Sequence, residues 1–254
     1  MAAPIAPPTP CPSAEKVSSS LAARAARIAG WHGSGMLDWP GRMATTLFVT
    51  GCNLRCPYCH NSDILAADSA REGALEGLLE HVHARRSWID GVVVTGGEPT
   101  LDPALFALLD KFAALCLPVK LDTNGTNPSV LRSLLDERLV AYVALDVKTV
   151  PARYADVTGV KDAWARVEES VALLFGSCIP HEFRTTVFPR AVSLDELPEI
   201  ASMLRNGDHY VLQQFRPQHT LDPSAEAVHP YFEDDLVAAA QACSRFLPTT
   251  VRGV

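Results

Sequence analysis

"TTLFVT" (45–50) runs directly into "GCNLRCPYCHN" (51–61). The first six residues are mostly apolar and β-branched, the composition of a short strand buried on both faces. The next eleven hold Cys52, Cys56 and Cys59, with three residues in the first gap and two in the second. A buried strand that ends in a loop of thiols puts reactive groups at its C-terminal end. The fold then turns on whether other strands deliver polar groups to the same end.

Five more runs have that character: "GVVVTGG" (91–97), "PVKLDTNG" (118–125), "VAYVALDVK" (140–148), "HEFRTTVF" (181–188) and "HYVLQQF" (209–215). Their polar ends are Gly96-Gly97-Glu98, Asp122-Thr123-Asn124-Gly125, Asp146-Val147-Lys148, Thr185-Thr186 and Gln213-Gln214. Helical spacing lies between the runs. Leu75, Leu78, Leu79 and Val82 share one face, as do Leu105, Leu108, Leu109 and Phe112. Asp102-Pro103 reads as the N-cap and first-turn proline of the second helix. Leu131, Leu134 and Leu135 mark a third, Trp164, Val167, Val171 and Leu174 a fourth, and Leu197, Ile200 and Leu204 a fifth. A last helix over about 230–247 has Phe232, Leu236 and Cys243 as its inward face. Six strands alternating with helices predict an α/β fold of parallel strands joined by right-handed crossovers. Eight units would close a barrel; six predict a partial (β/α)6 TIM-like barrel, open on one side, with its chemistry at the C-terminal strand ends.

The chain has 254 residues, 48% of them apolar, and a formal charge of −7. This acidic balance excludes a nucleic-acid surface, and no run approaches the eighteen apolar residues of a membrane span. Residues 1–28, rich in Ala, Pro and Ser, read as a disordered extension without a signal-peptide core, leaving 29–254 as a single domain. Seven cysteines in a chain of this size argue for a reducing cytoplasm rather than a disulfide framework. Cys11, Cys116, Cys178 and Cys243 have no ligand-like spacing and read as buried or incidental thiols.

Three thiols this close suit a metal or a redox pair. Zinc would need a fourth ligand, and adjacent His60 is poorly placed to share one tetrahedral ion with Cys59. A disulfide oxidoreductase needs only one C-x-x-C, so Cys52 is surplus to it. An iron–sulfur cube takes four thiolates as a rule; with three, one iron is left for water or a small molecule, and the vacancy becomes the functional position.

The pattern C-x3-C-x-aromatic-C after the first strand resembles the signature of the radical S-adenosylmethionine (SAM) superfamily. The resemblance covers about residues 30–215. It implies that Cys52, Cys56 and Cys59 hold one 4Fe–4S cluster whose fourth iron is chelated by SAM. Reductive cleavage of SAM then yields a 5′-deoxyadenosyl radical that abstracts hydrogen. It places Tyr58 near the adenine, Gly96, Gly97 and Glu98 at the cofactor's amino group, and Asp122 and Asn124 facing the cofactor. Asp122 and Asp146 would hold a small monovalent cation, and Lys148 would lie in the active site as a catalytic residue. Asn124 also fits an ordinary Asx turn and Asp146 a buried ion pair. Arg184 is placed to pair with a carboxylate there; His219 could face the substrate.

Within the superfamily, "SGMLDWPGRMATTLFVTGCNLRCPYCHN" (34–61) resembles activating proteins of glycyl-radical enzymes, most closely those of anaerobic ribonucleoside-triphosphate reductase. Gly35 stands where that pattern has serine, or Ser34 is shifted by one. No further C-x-x-C pair exists for auxiliary clusters. The implied partners are a glycyl-radical enzyme as protein substrate and a reduced flavodoxin or ferredoxin as electron donor. A radical enzyme acting on a small molecule is the alternative; a plain iron–sulfur electron carrier would leave the Gly-Gly-Glu, Asp-Thr-Asn-Gly and Asp-Val-Lys sites unexplained.

Overall fold

The computed structural model describes residues 26–254. The chain before residue 26, including Cys11 and nearly all of the expected extension, lies outside the described residues. Ala26–Ile28, assigned to that extension, are placed: the Arg27 N–H donates to Asp102 Oδ2 at 2.8 Å.

One eight-stranded sheet runs in the order of the sequence. Strands β2 (Ala44–Val49), β3 (Gly91–Gly96), β4 (Val119–Thr123), β5 (Tyr142–Asp146), β6 (His181–Val187) and β7 (Tyr210–Gln214) are the six expected runs. All six are parallel. Two more strands were not expected. β1 (Ile28–Gly35) pairs antiparallel with β2, and β8 (Thr249–Arg252) extends the parallel set beyond β7. Three glycines in β1 and the shortness of β8 remove the compositional signal of a strand. β1 and β8 are the two edges and do not pair, so the barrel stays open there.

Helices α1 (Ala74–Ala84), α2 (Leu105–Ala114), α3 (Pro128–Asp136), α4 (Tyr154–Thr158), α5 (Ala163–Phe175), α6 (Leu197–Met203) and α7 (Glu233–Cys243) lie between the strands. Their apolar stripes pack against one side of the sheet in a single core that includes Leu78, Leu109, Leu121, Leu145, Leu174 and Phe183. Two details differ from expectation. Phe232 is 82% exposed, and α7 buries Leu236, Ala239, Ala240 and Cys243 instead. Asp102 sits two residues ahead of the cap of α2; its Oδ1 accepts from Ala104 N–H at 2.9 Å and its other oxygen ties down Arg27.

Seven parallel strands laid flat would span roughly 29 Å. Here residues from β2 through β8, among them Thr46, Thr95, Asp122, Arg184 and Arg252, line one cavity of about 730 Å³. The sheet is therefore curled round that cavity, as a partial barrel requires. No helix among the described residues is long and apolar enough to cross a membrane.

Candidate functional site

The cavity lies at the C-terminal ends of the strands. Cys52, Cys56, Cys59, Tyr58, Gly96, Gly97, Asp122, Asn124, Asp146 and Lys148 are all on its wall. Residues spread over almost a hundred positions of sequence are brought together because every parallel strand ends on the same side.

The thiol loop is anchored by the end of β3. Gly97 N–H donates to Val49 O at 2.9 Å, Glu98 N–H to Gly51 O at 2.8 Å, and Asn61 Nδ2 to Gly96 O at 2.7 Å. This contact explains the glycines. A Cβ at Gly97 would sit 2.1 Å from Gly51 O, and Gly96 combines φ +115° with a Cβ position 2.5 Å from Val49 O. They are there so that β3 can meet the start of the thiol loop, in addition to bordering the cavity.

Glu98, which the resemblance places at the cofactor's amino group, has its carboxylate engaged by the protein's own donors. It is completely buried and off the cavity wall. Its Oε1 accepts from Thr100 N–H (3.1 Å), Thr100 Oγ1 (2.6 Å) and Thr123 Oγ1 (2.7 Å), and its Oε2 from Asn124 N–H (2.6 Å). Burial pushes its carboxyl up from the usual range, although these donors oppose the shift. Glu98 is thus the buttress that joins the ends of β3 and β4. Asn124 forms the expected Asx turn and borders the cavity. Its Oδ1 accepts from Thr126 N–H and Oγ1, an Asx turn, while Nδ2 points to Cys52 Sγ at 3.8 Å.

Charged side chains fill the inner face of the barrel in a chain of alternating sign. Lys120 Nζ donates to Asp122 Oδ1 at 2.6 Å, and Arg184 Nη1 to Asp122 Oδ2 at 2.8 Å. Arg184 Nε then reaches Asp146 Oδ1 at 2.7 Å, and Lys148 Nζ reaches Asp146 Oδ2 at 2.8 Å. At the lower end Glu182 lies 3.8 Å from Lys120 Nζ and accepts from Arg252 Nη2 at 3.1 Å. Burial alone would raise the Asp122 and Asp146 carboxyls; the Arg184 cation, with Lys120 or Lys148, overcomes it and holds both below the usual range. Burial would lower Lys148, but Asp146 holds it well above its ordinary value, so it is an ammonium charge. Every oxygen of the two aspartates meets a side-chain cation. The Arg184 guanidinium lies between the two aspartates, where the resemblance implies a small cation.

Lys120, Glu182 and Arg252 were missed by sequence reasoning. For Lys120 and Glu182 the signal was the i, i+2 placement of charge with Asp122 and Arg184, which puts each pair on one strand face; Arg252, in the short Thr249–Arg252 strand, had none. His219 is exposed and off the cavity wall. Tyr58 is buried against Phe188 at a ring separation of 5.2 Å; its hydroxyl has no hydrogen-bond partner among the described residues.

Among the described residues, no three His, Cys, Asp or Glu side chains converge as on one metal ion. Cys52, Cys56 and Cys59 nevertheless all border the one cavity. Burial raises the Cys52 thiol and pushes Cys56 up to about 11, so metal binding there would displace protons.

Residues 46–213 match the model of the radical SAM superfamily. The chain belongs to that superfamily. This radical SAM enzyme is 27% identical over 220 residues to a Methanocaldococcus jannaschii protein that carries the provisional name glycyl-radical enzyme activating enzyme, covering 85% of this chain and 90% of that one. It is 28% identical over 205 residues to the pyruvate formate-lyase-activating enzyme of Clostridium pasteurianum, covering 77% and 83%. Among solved structures, Streptococcus suis SuiB with its precursor peptide SuiA superposes with a TM-score of 0.63 at 16% identity. That match covers 80% of this chain and 47% of SuiB, and it establishes the shared fold. The superfamily implies an iron–sulfur cluster and SAM, and the donor set of the cavity suits them.

Proposed function

We propose that this radical SAM enzyme activates a glycyl-radical enzyme by removing a hydrogen atom from a backbone glycine of that partner, with anaerobic ribonucleoside-triphosphate reductase the first candidate. The observation that carries the reading is the open edge of the barrel: the cavity that holds the thiols and the charge chain is lined from both edge regions of the sheet, β1–β2 and β8. A lateral mouth of this kind admits a polypeptide loop, and glycine brings its Cα close because no side chain intervenes. The names of relatives matched over most of their length support the same reaction.

Cys52, Cys56 and Cys59 would hold one 4Fe–4S cluster. With the cluster and SAM bound, one electron from a reduced flavodoxin or ferredoxin in the cytoplasm would split the sulfonium into methionine and an adenosyl fragment that takes the glycine Cα hydrogen as 5′-deoxyadenosine. Gly96 and Gly97 would border the cofactor through their backbone, Tyr58 through its ring, and Asn124 through its amide beside Cys52. Lys148 acts as a fixed ammonium, a partner for an anionic group rather than a proton acceptor. Asp122, Arg184 and Asp146 hold that charge in register. Glu98 positions Asn124 and the thiol loop.

The test is to mix the reduced, reconstituted enzyme with SAM and a co-encoded glycyl-radical enzyme without oxygen and record the electron paramagnetic resonance spectrum. A doublet that disappears when the partner's glycine is replaced by alanine is expected. Deoxyadenosine formed at one rate with or without the partner, together with consumption of a small metabolite, would overturn the reading.

A further inference from the structure

Two large apolar side chains stand in water beside the cavity. Leu37 is 87% exposed and Met36 61% exposed, adjacent in the loop between β1 and β2, and both border the cavity. The loop beneath them is held fast. Trp39 is buried against Ala44 and Val93, the Arg42 guanidinium lies 5.0 Å over its ring, and Thr46 Oγ1 donates to Asp38 Oδ2 at 2.6 Å. A loop this well anchored through Trp39, yet presenting Met36 and Leu37 outward, gains nothing for its own folding from that exposure.

A second stretch of the cavity boundary follows β7, the neighbour of edge strand β8. Arg216, just after β7, is exposed, borders the same cavity and forms no salt bridge with any described carboxylate. It too stands on a fixed base. His60 Nε2 donates to Arg216 O at 2.8 Å, and Leu221 N–H and Asp222 N–H donate to Cys59 O and Pro57 O at 3.1 and 2.9 Å. The cationic boundary is thereby tied to the thiol loop.

We infer that Met36 and Leu37 on one side, and Arg216 on the other, form the docking lips for the partner's glycine segment, reading an apolar residue and an acidic residue that flank the glycine. The inference rests on the protein-substrate reading above and adds what selects the substrate. All three residues border the cavity that holds the thiols, Met36 and Leu37 beside the start of β2 and Arg216 beyond the end of β7, so a segment lying along that cavity meets both. Apolar burial supplies affinity, while the single charge favours an acidic flank and the rate of encounter.

The experiment measures the concentration of co-encoded glycyl-radical enzyme at half-maximal radical formation, for the wild type, a Met36→Ser/Leu37→Ser double variant and Arg216→Glu. Deoxyadenosine formed without partner is measured in each. The double variant should require at least about tenfold more partner, from the lost burial of two apolar side chains. Arg216→Glu should require about three- to tenfold more at low salt, a difference that shrinks as salt is added. Leu37→Met should restore most of the Leu37 contribution. Partner requirements within twofold of wild type in both variants overturn the inference, as does an equal fall in partner-free deoxyadenosine, which would make the residues part of the cofactor site. A wild type that puts no radical on the partner overturns the substrate reading, and the lips with it; that failure shows before any variant is made.

Discussion

Replacing Arg184 is the most direct way to test whether the charge chain organises the site. Its Nη1 and Nε lie 2.8 and 2.7 Å from Asp122 and Asp146, and all three side chains are largely buried. Arg184→Met deletes both contacts and leaves two carboxylates facing each other, each with one remaining lysine, Lys120 or Lys148. Breaking a buried pair from one side costs about 3–5 kcal/mol, and the surviving lysines put this case near the lower end. With a urea slope near 3 kcal/mol/M for a chain of this length, the midpoint should fall by about 1 M at pH 7. Arg184→Lys keeps the charge but cannot reach both carboxylates as a fork, so it should lose about half as much. In Arg184→Ala a space opens between the carboxylates, and potassium chloride should recover part of the loss where tetramethylammonium chloride does not. The wild type should show no such preference. Equilibrium urea unfolding followed by circular dichroism measures all four proteins. A midpoint for Arg184→Met within about 0.2 M of wild type would refute the idea that the guanidinium holds the two strand ends together.

Three further outcomes are expected. Gly97→Ala, whose Cβ would fall 2.1 Å from Gly51 O, should displace the thiol loop and lose iron on anaerobic reconstitution, with each of Cys52→Ser, Cys56→Ser and Cys59→Ser losing it as well; full iron content in any of the four would count against the thiol assignment. Glu98→Gln keeps the shape but sets an amide N–H against a donor that now meets carboxylate oxygen, so it should lower thermal stability by about 2–4 kcal/mol by calorimetry, and an unchanged melting temperature would remove its buttress role. Asp122→Asn should be destabilising at pH 7 and progressively less so in acid. The depressed folded-state carboxyl contributes stability that is complete above the ordinary carboxylate range and is lost as pH falls through it toward the lower folded value; a penalty independent of pH between 7 and 3 would contradict that sign.

The alternation of apolar runs with helical spacing was enough to place six strands, because strands buried on both sides leave dense, unmistakable apolar blocks. It was enough as well for the thiol loop, since Cys52, Cys56 and Cys59 are local in sequence, and for their nearness to the ends of β3, β4 and β5, which follows from parallel pairing alone. Sequence could not supply β1 or β8. Edge strands are half free of packing, so Ile28–Gly35 carries glycines and Thr249–Arg252 is short, and neither looks like a strand until its neighbour is in place. The partners of each charge were likewise decided only in three dimensions. Lys120 and Asp122 stand on one strand, but Arg184 and Glu182 come from β6 and Arg252 from β8, and which cation meets which carboxylate depends on inter-strand register. Curling the sheet is what brings those inner positions within hydrogen-bonding reach. That is why the place expected for a free cation holds an arginine. It is also why Glu98, which as a sequence motif reads as a ligand for a cofactor, is turned inward by Thr100, Thr123 and Asn124 to hold the site together.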